Sequence, residues 1–169
     1  MARLALPVAG AKWAEPENLH LTLRYAGDID NRKAADFAEE LSYIRVPVFD
    51  LKLAGLGAFG GNDPHTIWAG VEGGDALEQL ARANERAARN VGLAPETRKF
   101  KAHITLARLR GARPVEVARV LERHATYKSD SITIEQFVLF SSRPLIGGGP
   151  YAVEDEFPLQ GSFAHFNQI

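Results

Sequence analysis

His20-Leu21-Thr22-Leu23 and His103-Ile104-Thr105-Leu106 are one pattern written twice, 83 residues apart. In an extended strand, residues two apart point to the same face. Each copy therefore sets an imidazole beside a hydroxyl, with leucine or isoleucine anchoring the other face. Imidazole is the side chain whose free pKa, about 6.5, lies near neutral pH. Two imidazoles can divide acid–base work. The neutral ring takes a proton from an attacking water or hydroxyl, and the protonated ring gives one to the departing oxygen. Threonine hydroxyls donate to non-bridging phosphate oxygens without a charge that would lock either ring in one state. Such a set suits in-line displacement at a phosphodiester without a metal ion. A ribose 2′,3′-cyclic phosphate fits it, because ring strain lowers the barrier.

Other readings compete. A single His-x-Thr in a strand is common and usually structural; two copies with similar flanks are rarer. Zinc wants three or four ligands. Neither motif has a carboxylate or second histidine at ligand spacing, and His65, His124 and His165 are scattered in turn, helix and tail contexts. Between Glu96 and Glu116 lie Arg98, Lys99, Lys101, Arg108, Arg110 and Arg113 with no acid. This stretch reads equally as an attractor for phosphate or RNA and as a solvated basic loop. Alternation puts Arg24 on the face of His20 and Thr22, and Arg108 on the face opposite His103 unless the strand twists or ends. Arg82, Arg86 and Arg89 form a stripe accompanied by Glu78 and Glu85, which reads as a solvated helix face. Trp13, Tyr25, Phe59, Trp68, Phe100 and Tyr151 are candidates to stack a base. Gly147-Gly148-Gly149 lacks the Lys-Ser/Thr of a phosphate loop and reads as a turn with Pro150.

The elements that must position these groups can be read from periodicity. The first residues read as a helix end, with a turn at Pro7 and Gly10, and Lys12 to Asn18 reads as a loop. Leu19 to Arg24 alternates as a half-buried strand. Ala34, Ala35, Phe37, Ala38 and Leu41 have helical spacing. Val46 to Leu53 is β-rich and punctuated by Gly55 and Gly57; Thr66 to Val71 comes after the Asn62-Asp63-Pro64 turn. Asp75 can cap a helix with Leu77, Leu80, Ala81, Ala88 and Val91 on one face, stopped by Gly92. Pro114 opens a helix, Ile132 to Phe140 reads as a strand, and Tyr151, Val153 and Phe157 mark a last one. Phe59 lies 39 residues after His20, and Phe140 lies 37 after His103. The pattern of strand, helix and strand thus recurs, which suggests two lobes related by a pseudo-twofold, with the motifs facing each other. Intermixed elements with hairpin-like neighbours predict an α+β fold with antiparallel sheets rather than a doubly wound parallel sheet.

Composition sets outer bounds. The 169 residues suit one domain of two lobes, residues 1–169. Apolar residues are 46% and charged residues 24%, an ordinary globular balance. Lys plus Arg is 20 against 21 Asp plus Glu, a formal charge of −1, which argues against a global field gripping duplex DNA. There is no cysteine, so disulfides, thiolate metal sites and a cysteine nucleophile are excluded, and a cytoplasmic location is expected. No secretory signal or membrane span is expected, since no uncharged apolar run approaches the ~20 residues needed.

Glu17-Asn18-Leu19-His20-Leu21-Thr22-Leu23-Arg24-Tyr25 and Phe100-Lys101-Ala102-His103-Ile104-Thr105-Leu106-Ala107-Arg108 together resemble the 2H phosphoesterase superfamily. Within it, they are most similar to the RNA 2′,3′-cyclic phosphodiesterases, also called 2′-5′ RNA ligases. Leu56-Gly57-Ala58-Phe59, the Trp68 strand, Leu139-Phe140-Ser141-Ser142 and Phe157-Pro158-Leu159 extend the resemblance over roughly residues 12 to 160. It implies a bilobal α+β fold with the active site in a cleft between lobes. It implies metal-independent hydrolysis of an RNA or nucleotide 2′,3′-cyclic phosphate to a 2′-phosphomonoester, with no cofactor, membrane or obligate protein partner. By the same resemblance His20 is similar to the proton donor and His103 to the proton acceptor, while Thr22 and Thr105 look like phosphate-binding hydroxyls. The first strand and helix usual in the family look absent, Ala102 stands where proline is usual, and the tail from Gly161 has no clear match. Two alternatives remain: reversible 2′-5′ RNA ligation at the same site, and an RNA- or nucleotide-binding module without catalysis.

Overall fold

The computed structural model describes residues 8–142 and 151–161. The expected helix end in the first residues, the turns at Pro7 and at Gly147 to Pro150, and the tail beyond Gly161 lie outside the described residues. The fold is α+β with antiparallel sheets, as expected; the described residues hold three α-helices, and the chain divides into two compact units.

One unit comprises Met1–Leu21, Lys52–Glu72 and Ala102–Asp130. Its strands are β1 (Ala11–Trp13), most of β2 (Phe49–Phe59), β3 (Thr66–Glu72) and β4 (His103–Leu109), in the order β1-β4-β3-β2, all antiparallel. The helix Pro114–Arg123, the third in chain order, starts at the expected proline and buries Val117 and Val120. They join Ile67, Ala107, Leu109 and Ala112 in this unit's core. Alternation explains the choice: Ile67, Ala69 and Ala107 turn to one face of the sheet, leaving Trp68 and Thr105 for the other.

The other unit comprises Thr22–Leu51, Gly73–Lys101 and Ser131–Ile169. Here the first helix, α1 (Asn31–Ser42), is capped by Asp30, whose side chain accepts from the Lys33 backbone N–H at 2.8 Å. The second, α2 (Gly74–Asn90), buries Leu77, Leu80, Ala81, Ala87 and Ala88, close to the stripe read from spacing. Its N-cap is Gly73; Asp75 sits in the first turn instead, where a carboxylate favours the helix dipole. The start of β2 pairs with β5 (Ile132–Ile134), and β6 (Gln136–Ser142) forms a hairpin with β7 (Tyr151–Pro158). Phe137 and Phe157 are register partners, and their rings stack at 5.0 Å over a core built on Phe37, Leu41 and Leu80. No helix among the described residues is long and apolar enough to cross a membrane.

Three local expectations are corrected. Lys12 and Trp13, read as the head of a loop, belong with Ala11 to an edge strand on β4, and Pro16–Asn18 is a 3-10 turn. Leu19 to Arg24 is not a continuous strand; only Leu21 forms a bridge, to Ile104. The glycines of β2 do not end it. The strand runs through both, with its register on β3 shifting between Leu53 and Leu56.

Candidate active site

The second motif opens β4. His103 lies across from Gly70 of β3, and Thr105 across from Trp68. Trp68 is in turn the register partner of Gly57 on β2. A Cβ on Gly57 would come within 2.1 Å of the indole, so only glycine lets the ring lie across that strand. A Cβ on Gly70 would meet the Ala54 carbonyl oxygen at 2.4 Å, so close strand approach fixes glycine there as well. Phe59, two residues beyond Gly57, stands 5.4 Å from Trp68. The two rings make a corner for the imidazole of His103, which meets Phe59 edge-on at 5.1 Å and Trp68 at 6.0 Å. The imidazole is thereby steered by apolar walls, and it remains half-buried.

The first motif comes directly after the 3-10 turn. Pro16, at the start of that turn, sets the bend, and the Leu19 N–H closes it on the Pro16 carbonyl at 3.1 Å. The turn presents the Asn18 carbonyl to His20 Nδ1 at 2.8 Å. A carbonyl can only accept, so Nδ1 carries the hydrogen in this contact. The bridge between Leu21 and Ile104 is antiparallel. Extended by regular antiparallel register, the bridge would set His20 across from Thr105 and diagonal to His103, a Cα spacing of about 7–8 Å in a regular sheet. Leu21 and Ile104 point away from that face, as alternation requires. Thr22 is exposed and is the first residue of the other unit.

Arg108 departs from the simple alternation. Ala107 pairs with Ile67 but Thr105 pairs with Trp68, so Leu106 is an extra residue and β4 carries a bulge. A bulge re-aims the side chains beyond it. It brings Arg108 to the face of His103 and Thr105, where its Nη1 donates to the buried Thr66 hydroxyl at 3.1 Å. The same hydroxyl lies 3.0 Å from His65 Nδ1. Gly57, Phe59 and Trp68 are further residues around His103; a glycine two before an aromatic inside a β-rich run is the sequence mark of such close packing.

Arg24 does not join the motif face. Its guanidinium, almost wholly buried, donates from Nε to Glu85 Oε2 at 2.6 Å and from its other nitrogens to the carbonyls of Tyr25 and Ala94. In the basic stretch, Arg98 is paired with Glu96 and Arg113 with Glu116, the two acids that border it. Two of its six charges are thus neutralised locally. The hydrogen bond from Arg98 holds the Glu96 carboxyl down at about 2, against 4.5 ordinarily. His124 caps the end of the third helix. A surface groove of about 700 Å³ lies between α1 and α2, lined by Tyr43, Arg45, Arg82 and Arg86, and neither motif contributes to it.

An antiparallel α+β scaffold carrying two His-x-Thr segments, with one histidine from each near a shared bridge, defines a phosphoesterase of the two-histidine class. The model of the family described as LigT like Phosphoesterase matches residues 1–68 and 70–151, and the chain belongs to that family. A relative from Aeropyrum pernix, named RNA 2′,3′-cyclic phosphodiesterase, is 36% identical over 142 residues, 79% of this chain and 81% of its own. One from Aquifex aeolicus with the same name is 32% identical over 156 residues, 89% of this chain and 82% of its own. Among solved structures, E. coli LigT complexed with 3′-AMP is similar with a TM-score of 0.71 at 25% identity, covering 89% of this chain and 82% of that one. A Thermus thermophilus protein, TT0787, shares the fold with a TM-score of 0.73 at 24% identity, over 90% and 84%.

Proposed function

We propose that the protein is an enzyme that hydrolyses RNA 2′,3′-cyclic phosphodiester ends to 2′-phosphomonoesters, using His20 and His103 as acid and base. The observation that supports this reading is the antiparallel Leu21–Ile104 bridge, whose polar flanks in regular pairing would make His20 and His103 diagonal neighbours. The relatives' shared name supplies the substrate class.

In this mechanism His103, neutral, takes a proton from water as the water oxygen bonds to phosphorus. The bond from phosphorus to the ribose 3′ oxygen breaks, and His20, protonated, delivers the Nε2 proton to that oxygen. His20 keeps its aim because Nδ1–H stays on the Asn18 carbonyl through the transfer. Thr22 and Thr105 donate to the non-bridging oxygens, where charge builds as water adds. The choice of His20 as donor and His103 as acceptor comes from the family resemblance, as do the two threonine roles. No metal is assigned to any step. The reading takes residues 1–169 as one two-lobed domain, supported by the three separate stretches of chain that build each unit. A cytoplasmic setting accords with the lack of cysteine.

The test is incubation with a nucleoside 2′,3′-cyclic phosphate and a short oligoribonucleotide bearing that end, in EDTA. The expected product is the 2′-phosphate alone, with a bell-shaped pH profile. No turnover across the pH range, or the 3′-phosphate as product, overturns the reading.

A further inference from the structure

The chain leaves the first motif through Arg24, four residues after His20, and approaches the second along residues 94–101. Both stretches meet one residue of α2. Glu85 accepts from Arg24 Nε through Oε2, and from the Glu96 backbone N–H through Oε1 at 3.2 Å. Arg24 spans the remaining gap with a hydrogen bond from Nη2 to the Ala94 carbonyl. Only 8% of the Arg24 side chain is exposed against 28% of the Glu85 side chain, so the guanidinium end of the pair is the shielded one, and the bond between them is charge-assisted. The Arg24 guanidinium has its nitrogens committed on three sides, which leaves it unsuited to bind a phosphate. Sequence alternation places this residue beside His20 and Thr22; the structure uses it differently.

We infer that Arg24 and Glu85 are positioning residues for the reaction: one ion pair on α2 ties the exit of the first His-x-Thr segment to the approach of the second. The inference rests on the two-histidine reading above. Loss of the pair would leave both motifs present and let their relative placement drift. A misplacement of about 1 Å far from the chemistry can cost about a hundredfold in rate.

The experiment compares wild type, Arg24→Met, Arg24→Lys and Glu85→Gln in kcat and KM for a nucleoside 2′,3′-cyclic phosphate, normalised to the folded fraction. The imidazole ¹⁵N shifts of His20, His103 and His124 are recorded in parallel. Arg24→Met is expected to lower kcat about tenfold to a hundredfold, with KM little changed. The His20 and His103 signals should move and that of His124 should not. Arg24→Lys, which keeps the charge but cannot reach Glu85 and Ala94 together, should recover part of the rate. Should Arg24→Met fail to fold, Glu85→Gln, which preserves shape, gives the same reading. Unchanged kcat per folded molecule together with unmoved histidine signals overturns the inference. Wild type inactive on the cyclic phosphate is a separate result: it removes the functional reading, and the histidine shifts then decide the positioning claim alone.

Discussion

Leu21 and Ile104 share one antiparallel bridge, and each is the residue next to a histidine, His20 on one side and His103 on the other. Neither residue carries chemistry. Each is the apolar member between the polar ones, and pairing the two apolar residues aligns the polar ones. Replacing either histidine with glutamine should lower kcat by about 10²–10⁴-fold while the circular dichroism spectrum stays unchanged. If His20 is the acid, His20→Gln should also abolish the alkaline limb of the pH–rate profile. His103→Gln should abolish the acid limb.

The indole of Trp68 rests on Gly57, and His103 is steered by that indole. Gly57→Ala inserts a methyl where the ring lies. It should cost about 1–3 kcal/mol of stability by overpacking, read by urea denaturation. It should also slow turnover, because the imidazole loses its wall. A variant with wild-type stability would show that the ring has room to move.

Phe37 is almost fully buried, with Leu41 and Leu80 in the core of its unit. Phe37→Ala should cost about 3–5 kcal/mol, transfer and cavity terms together. Equilibrium unfolding measures it.

Glu96 gives a pH dependence with a definite sign. Arg98 holds its carboxyl at about 2 in the folded chain, below the ordinary 4.5. A lowered folded value adds stability that is fully present above pH 4.5 and lost as pH falls from there through about 2. Glu96→Gln should therefore lower the melting temperature at pH 7, and the difference should vanish near pH 2. The effect will be small, because the pair is exposed and screened. A difference that persists at low pH would assign the loss to shape rather than charge.

The two motifs, the three helices and the antiparallel character are legible in the sequence because each depends on local spacing. Pro114 and the stripe of Leu77, Leu80, Ala81 and Ala88 are examples. The features that spacing misses depend on partners distant in the chain. Leu19 to Arg24 alternates as a strand does, but hydrogen bonding, not alternation, makes a strand, and only Leu21 finds a partner. Gly55 and Gly57 look like a terminus, whereas the register shift and the crossing indole need glycine within the strand. Alternation alone puts Arg108 on the wrong face because one extra residue, Leu106, resets the count. It puts Arg24 with the motif for a different reason: the residue's true partner, Glu85, stands 61 residues away.

Each unit is assembled from three separate stretches of chain. Neither can be expressed as one uninterrupted fragment, and a stop before Asp130 removes material from both. Nascent chain emerging from a ribosome must wait for residues past 100 before the sheet holding His103 can close. Folding should accordingly be governed by slow, long-range pairing rather than by its helices, and a split-protein or circularly permuted version would have to respect all five crossings.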